Sequence, residues 1–179
     1  MRKLSMDELN RVSVEQFKEL EKLPLVCVLD NLRSQHNIGS VFRTADAFRV
    51  EKLLLCGITA TPPNREINKT ALGATESMEW KYYQNVRDAI LELKEKGYLI
   101  VAVEQAEGSI PLHLFKPESV DRIALIFGNE VNGVSEEVME LADSCIEIPQ
   151  FGTKHSLNVS ITAGIVLWNM FLGVHSIKR

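Results

Sequence analysis

Short apolar runs bounded by polar or glycine-containing segments organise this chain. VCVL (26–29), LLLC (53–56), LIVAV (99–103) and IALIF (123–127) are the clearest, with a shorter fifth, CIEI, at 145–148. Their hydrophobicity is continuous rather than alternating, which predicts strands buried on both faces of a parallel sheet. Helical patterns lie between them. From Asn37, apolar residues fall at Ile38, Val41, Phe42, Ala45 and Phe48, predicting a helix behind an Asn cap. Asn85 caps a second, with Val86, Ala89, Ile90 and Leu93 on one face, a Glu92–Lys96 pair and Gly97 at its close. Ser135 caps a third, with Glu136 and Glu137 at its positive end. A last helix starts near Ser156 and runs almost to the end, while 57–77 reads as a long connection rich in Thr, Pro and Asn. This β/α alternation predicts one α/β domain with a mostly parallel sheet flanked by helices.

Composition narrows the class. Among 179 residues, 45% are hydrophobic and 25% charged, which excludes intrinsic disorder. The net charge of −4 excludes a wholesale basic surface, so any nucleic acid must be met by a local patch. Cys27, Cys56 and Cys145 lie at or beside apolar runs and read as buried small hydrophobes in a reducing cytoplasm. The charged N-terminus lacks the apolar core of a secretory signal. The stretch Leu157–Val174 is the most apolar, but Asn158, Ser160, Thr162 and Asn169 favour a buried helix over a membrane span. The four histidines have no metal-ligand spacing with one another or with the cysteines, so no metal is expected.

In open parallel sheets ligands bind beyond the carboxyl ends of the strands. Three polar, glycine-containing segments follow predicted strands directly: 30–48, 128–135 and 149–160. Parallel strands would bring all three to one edge. Gly128 and Gly133 have the outer spacing of a phosphate loop, but Val134-Ser135 replaces the Lys-Ser/Thr that such a loop needs. The glycines then mark either a turn or a backbone grip for an adenosine. Arg43 lies on the face of Gly39 and Ser40, away from the apolar stripe, with open room expected above Gly39. It is either a solvated arginine or a bidentate phosphate ligand. Ser156, Asn158 and Ser160 either cap the last helix or bond a ligand or neighbouring loop.

In this order the three segments resemble the signature motifs of the SpoU/TrmH family of RNA ribose 2′-O-methyltransferases, within the SPOUT superfamily. NIGSVFRTADAF (37–48) matches the first, IALIFGNEVNG (123–133) the second, and IEIPQFGTKHSLNVSITAGIVLW (146–168) the third. The resemblance covers about residues 24–174, leaving 1–23 as a helical extension with a helix expected from Met6 to Lys22. It implies a deep C-terminal trefoil knot that ordinary connection rules would discard. It implies S-adenosylmethionine as the cofactor, becoming S-adenosylhomocysteine. The residues implied to hold it are Val103, Glu104, Phe127, Gly128, Asn129, Glu130, Ile148, Gln150, Ser156, Leu157 and Asn158. A homodimer built on the final helix and the first one is also implied, each active site borrowing from both subunits.

The reaction so implied is in-line attack of a ribose 2′-oxygen on the sulfonium methyl. The resemblance places Arg43 at its centre, with Asn37, Glu130, Ser156 and Asn158 around it. Arg43 would serve as proton acceptor or as clamp on phosphate and emerging alkoxide; a guanidinium is a poor base near neutrality. Arg33, His36, Arg43, Arg65, Lys69, Lys154 and His155 are the cations expected to meet the RNA, although the chain's acidity weakens non-specific attraction. The RNA expected is tRNA. An rRNA enzyme and a non-catalytic binder of RNA or S-adenosylmethionine are the alternatives.

Overall fold

The computed structural model describes residues 1–5, 7–9, 12–116, 122–154 and 156–177, with side chains as far as residue 173. Strands β1 (Leu23–Asp30), β2 (Val50–Cys56), β3 (Trp80–Tyr83), β4 (Tyr98–Val103), β5 (Ile110–Pro111), β6 (Arg122–Phe127) and β7 (Ser144–Glu147) form one sheet. Their order is β3-β2-β1-β6-β4-β7-β5, and every pairing is parallel. Parallel neighbours need crossovers, and helices supply several of them. The helices are α1 (Val14–Glu19), α2 (Gln35–Ala47), α3 (Arg65–Ala71), α4 (Ala74–Ser77), α5 (Val86–Glu95), α6 (Glu136–Leu141) and α7 (Val159–Ile177).

Both sheet faces are covered, as continuous apolar strands require. Cys27, Leu29, Leu53, Leu55, Leu125 and Phe127 point to one side, against Ile38, Val41, Phe42 and Ala45 of α2 and Ala163, Val166, Leu167 and Met170 of α7. Val26, Val28, Leu54, Ile100, Ala124 and Ile126 point to the other, against Val86, Ala89, Ile90 and Leu93 of α5 and Val138 of α6. The predicted stripes of α2 and α5 are therefore the buried ones. Asn85 caps α5 through its contact with the Arg87 N–H, Ser135 caps α6, and Lys96 reaches Glu92 at 2.6 Å.

Several local expectations are corrected. Helix α2 begins two residues before Asn37, because the Ser34 hydroxyl accepts the Asn37 N–H at 3.2 Å and takes the cap. The connection 57–77 contains α3 and α4; Asn64 starts α3 by accepting the Glu66 and Ile67 N–H groups. The edge strand β3 was hidden by its partly exposed, polar-containing WKYY sequence, and β5 by its length of two residues. Helix α7 starts at Val159, not Ser156. No continuous helix fills 6–22: a short 3₁₀ turn at Asp7–Leu9 precedes α1, which Ser13 and Gln16 open with a reciprocal capping box. Met6 lies outside the described residues. Among the described residues no helix is long and apolar enough to cross a membrane.

Candidate active site

The three segments do emerge at one edge, after β1, β6 and β7. Between the ends of β4, β6 and β7, the second and third segments and the start of α7 leave a cavity, at the place where open parallel sheets bind their ligands. Of the residues expected to hold a cofactor, Val103, Glu104, Phe127, Gly128, Ile148, Gln150, Ser156 and Leu157 line it. Asn129, Glu130 and Asn158 do not; they stand behind the wall and act on the loops. Gln105, Glu147, Val159 and Thr162 also line the cavity, and the sequence reading did not single them out. Each lies within two residues of a strand end or at the start of α7, so strand-end position was the available signal.

Glycine shapes the wall. A Cβ on Gly128 would meet the Gly133 carbonyl at 2.3 Å, and one on Gly133 would meet the Glu104 carboxylate at 2.2 Å. Gly133 also has φ +67°, which side-chain-bearing residues avoid. Asn129 and Gly133 exchange backbone hydrogen bonds at 2.9 Å, pinching the loop closed. The Glu104 carboxylate then fastens it, accepting the Val134 N–H at 2.9 Å and the Gln105 N–H at 2.8 Å. The loop is thus an anchored backbone hairpin, in which the two glycines mark a turn.

Behind this wall runs a chain of polar contacts joining all three segments. The Glu130 carboxylate accepts the Arg33 N–H at 2.9 Å, the Ser34 N–H at 3.0 Å and the Asn37 side-chain amide at 3.2 Å. The Asn37 carbonyl oxygen in turn accepts the Asn158 side-chain amide at 3.1 Å. Partial burial alone would raise the Glu130 pKa. The N–H groups of Arg33 and Ser34, its own N–H and the Asn37 amide outweigh that, holding the carboxyl below its ordinary value. Asn158 serves both sequence alternatives at once, since its oxygen also accepts the Ser160 N–H at 2.9 Å at the start of α7. Asn31 escaped the sequence reading. It sits at φ 55°, its oxygen accepts the Ile58 N–H, and its carbonyl receives the Asn129 amide at 2.6 Å. The Asp-Asn pair closing β1 was the signal available for this turn.

Arg43 is exposed and does not line the cavity of its own chain. It lines a separate depression with Ser40, Thr44, Ala47, Phe48, Lys69 and Thr70. Nor is there open room above Gly39: a Cβ there would stand 2.2 Å from the Ile67 carbonyl oxygen, because α3 packs directly on α2. Arg33, His36, Arg65, Lys69 and Lys154 are all exposed. His36 and Lys69 share the Glu66 carboxylate, at 3.0 and 2.7 Å. His155 lies outside the described residues. Among the described residues no cluster of His, Cys, Asp or Glu is arranged to hold a metal.

The fold and cavity define a class: a parallel α/β protein with a cavity beyond its strand ends, on whose wall, among the described residues, stand Glu104 and Glu147 and neither lysine nor arginine. Comparison makes the class particular. The SpoU rRNA Methylase family profile matches residues 24–168, and the chain belongs to that family. It is 35% identical over 159 residues to the 23S rRNA (guanosine-2′-O-)-methyltransferase RlmB of Neisseria meningitidis, covering 88% of this chain and 62% of that protein. It is also similar to the crystal structure of the A. aeolicus TrmH/SpoU tRNA modifying enzyme, with TM-score 0.82 and 27% identity over 92% of this chain and 84% of that one. The AdoMet-bound rRNA methyltransferase of Sinorhizobium meliloti aligns with TM-score 0.77 and 28% identity, over 86% of this chain and 58% of that one. The chain spans less than two thirds of the length of the curated relatives it matches.

Proposed function

We propose that this chain, as a homodimer with the trefoil-knotted C-terminal segment of its family, transfers the methyl group of S-adenosylmethionine to a ribose 2′-hydroxyl of structured RNA. The observation that carries the reading is a strand-end cavity walled by the end of β4 and by the second and third segments, with the Glu130–Asn37–Asn158 chain tying the first segment to them. The cavity suits the cofactor: the Gly128–Gly133 approach leaves main-chain groups facing it, and acidic side chains complement a sulfonium. Bound there, S-adenosylmethionine supplies an electrophilic methyl, so the protein need only align the acceptor and stabilise charge.

Val103, Phe127, Ile148 and Leu157 exclude water from one side of the cavity, while Glu104 keeps the hairpin seated. Glu130 and Asn37 lock the start of α2, the helix that carries Arg43. Arg43 then holds the phosphate of the incoming nucleotide and stabilises the 2′-oxygen as its proton leaves to solvent. Because Arg43 faces away from its own cavity, it serves the partner's. Exposed Ile161, Ile165, Trp168 and Leu172 recur at helical spacing along α7 and give the partner an apolar seat.

The RNA in this reading is tRNA, supported by the likeness to the A. aeolicus tRNA modifying enzyme, which the chain covers most completely of the three compared above. An rRNA substrate is the second reading, favoured by the likeness to the Neisseria enzyme. Calorimetry with S-adenosylmethionine, followed by tritium transfer into RNA from cells lacking the gene, tests both. Saturable binding and an alkali-resistant dinucleotide in the tRNA fraction are expected. No binding at millimolar ligand overturns the enzyme reading, and label confined to rRNA selects the second.

A further inference from the structure

We propose that Phe151 is a stacking platform for a base of the RNA substrate, an inference that rests on the methyl-transfer reading above. Its side chain is 96% exposed. The segment carrying it leaves the cavity wall at Gln150 and rejoins it at Ser156, so Phe151 stands on a loop with both ends in the rim. An aromatic ring held in water there is buried only by something that arrives from outside.

The geometry of the reaction names the arrival. The acceptor ribose must reach this rim, and it carries its base and phosphates with it. Unpaired bases offer flat π-faces that stack on aromatic side chains whatever their sequence. The same loop supplies the complementary charge: Lys154, exposed, follows three residues on. A Cβ on Gly152, next to Phe151, would have nothing within 4 Å, so this side of the loop backbone is not packed against another element of the described chain. A second copy of the chain has its own apolar seat on α7, where Ile161 and Trp168 are 55% and 49% exposed. Phe151 lies outside that helix, on the loop that precedes it.

Phe151→Ala and Phe151→Trp test the assignment against RNA extracted from cells lacking the gene. The alanine variant raises KM for that RNA roughly tenfold, the order expected for one stacked base, while the tryptophan variant stays near wild type. S-adenosylmethionine affinity by calorimetry and mass by sedimentation remain unchanged in both. An unaltered KM in the alanine variant overturns the assignment. A matching loss of cofactor affinity would make Phe151 a lid, and a shift in mass would make it a subunit contact; either result also overturns it. If the wild-type protein transfers no methyl group, the methyl-transfer reading fails first and takes this inference with it.

Discussion

Glu130 shows how one side chain can organise a site without lining it. Its carboxylate takes two main-chain N–H groups and one amide from the segment after β1. Glu130→Gln keeps the length but turns one acceptor into a donor facing N–H groups. Methyl transfer is expected to fall at least tenfold, with cofactor affinity within about threefold of wild type, because an unmade bond to a charged group costs roughly 1.5–3 kcal/mol. The pH dependence has a definite sign. A carboxyl whose folded pKa is lowered stabilises the fold above its unfolded value and loses that contribution as pH falls through the folded one. Thermal melts of the glutamine variant therefore lose the part of the acid destabilisation that Glu130 contributes.

Asp30 runs the other way. It is 2% exposed at the end of β1, and burial, with help from Glu137, pushes its carboxyl up to about 6 despite the Asn31 amide at 2.8 Å. The folded protein therefore takes up a proton between about pH 4 and 6, and stability falls as pH rises through that window. Asp30→Asn removes the dependence. Its stability should exceed wild type by roughly 1–3 kcal/mol at pH 8, with no difference near pH 4, as read by denaturant melts at the two pH values.

At the scale of elements, the seam between α2 and α3 decides where Arg43 and Lys69 stand. Gly39 lets the helices touch, with the Ile67 carbonyl where a Cβ would be and the Thr70 hydroxyl donating to the His36 carbonyl at 2.9 Å. Gly39→Ala gains up to about 1 kcal/mol of helix propensity but drives a methyl into a backbone oxygen that cannot turn aside. A net loss of about 1–3 kcal/mol is expected from overpacking, measurable by urea denaturation. Here sequence reading fell short for a physical reason. Periodicity marks which face of a helix is apolar, and the stripe on α2 came out correctly, but it carries no information about what packs on the other face. The first cap was misplaced for a similar reason: Ser34 and Asn37 are both good caps, and only the contact between them selects Ser34.

For the whole molecule, parallel order and the convergence of three loops were legible because buried strands announce themselves as unbroken apolar runs. The cavity's inner lining was legible only through family resemblance. The polar chain behind it, joining residues more than ninety apart, has no local signature at all. Association belongs to this scale too. Ile165→Glu on α7 is expected to turn a dimer into monomers in sedimentation, to abolish methyl transfer, and to leave cofactor binding within a few-fold, since each cavity is walled by its own chain.

Helix α7 is oily on opposite sides, one turned to the sheet and one left open. A newly made copy therefore finishes its own interior while still carrying a sticky ridge. In the proposed dimer the copy that covers this ridge would also bring Arg43 to the cavity, so turnover per chain is expected to rise with concentration and to fall on dilution.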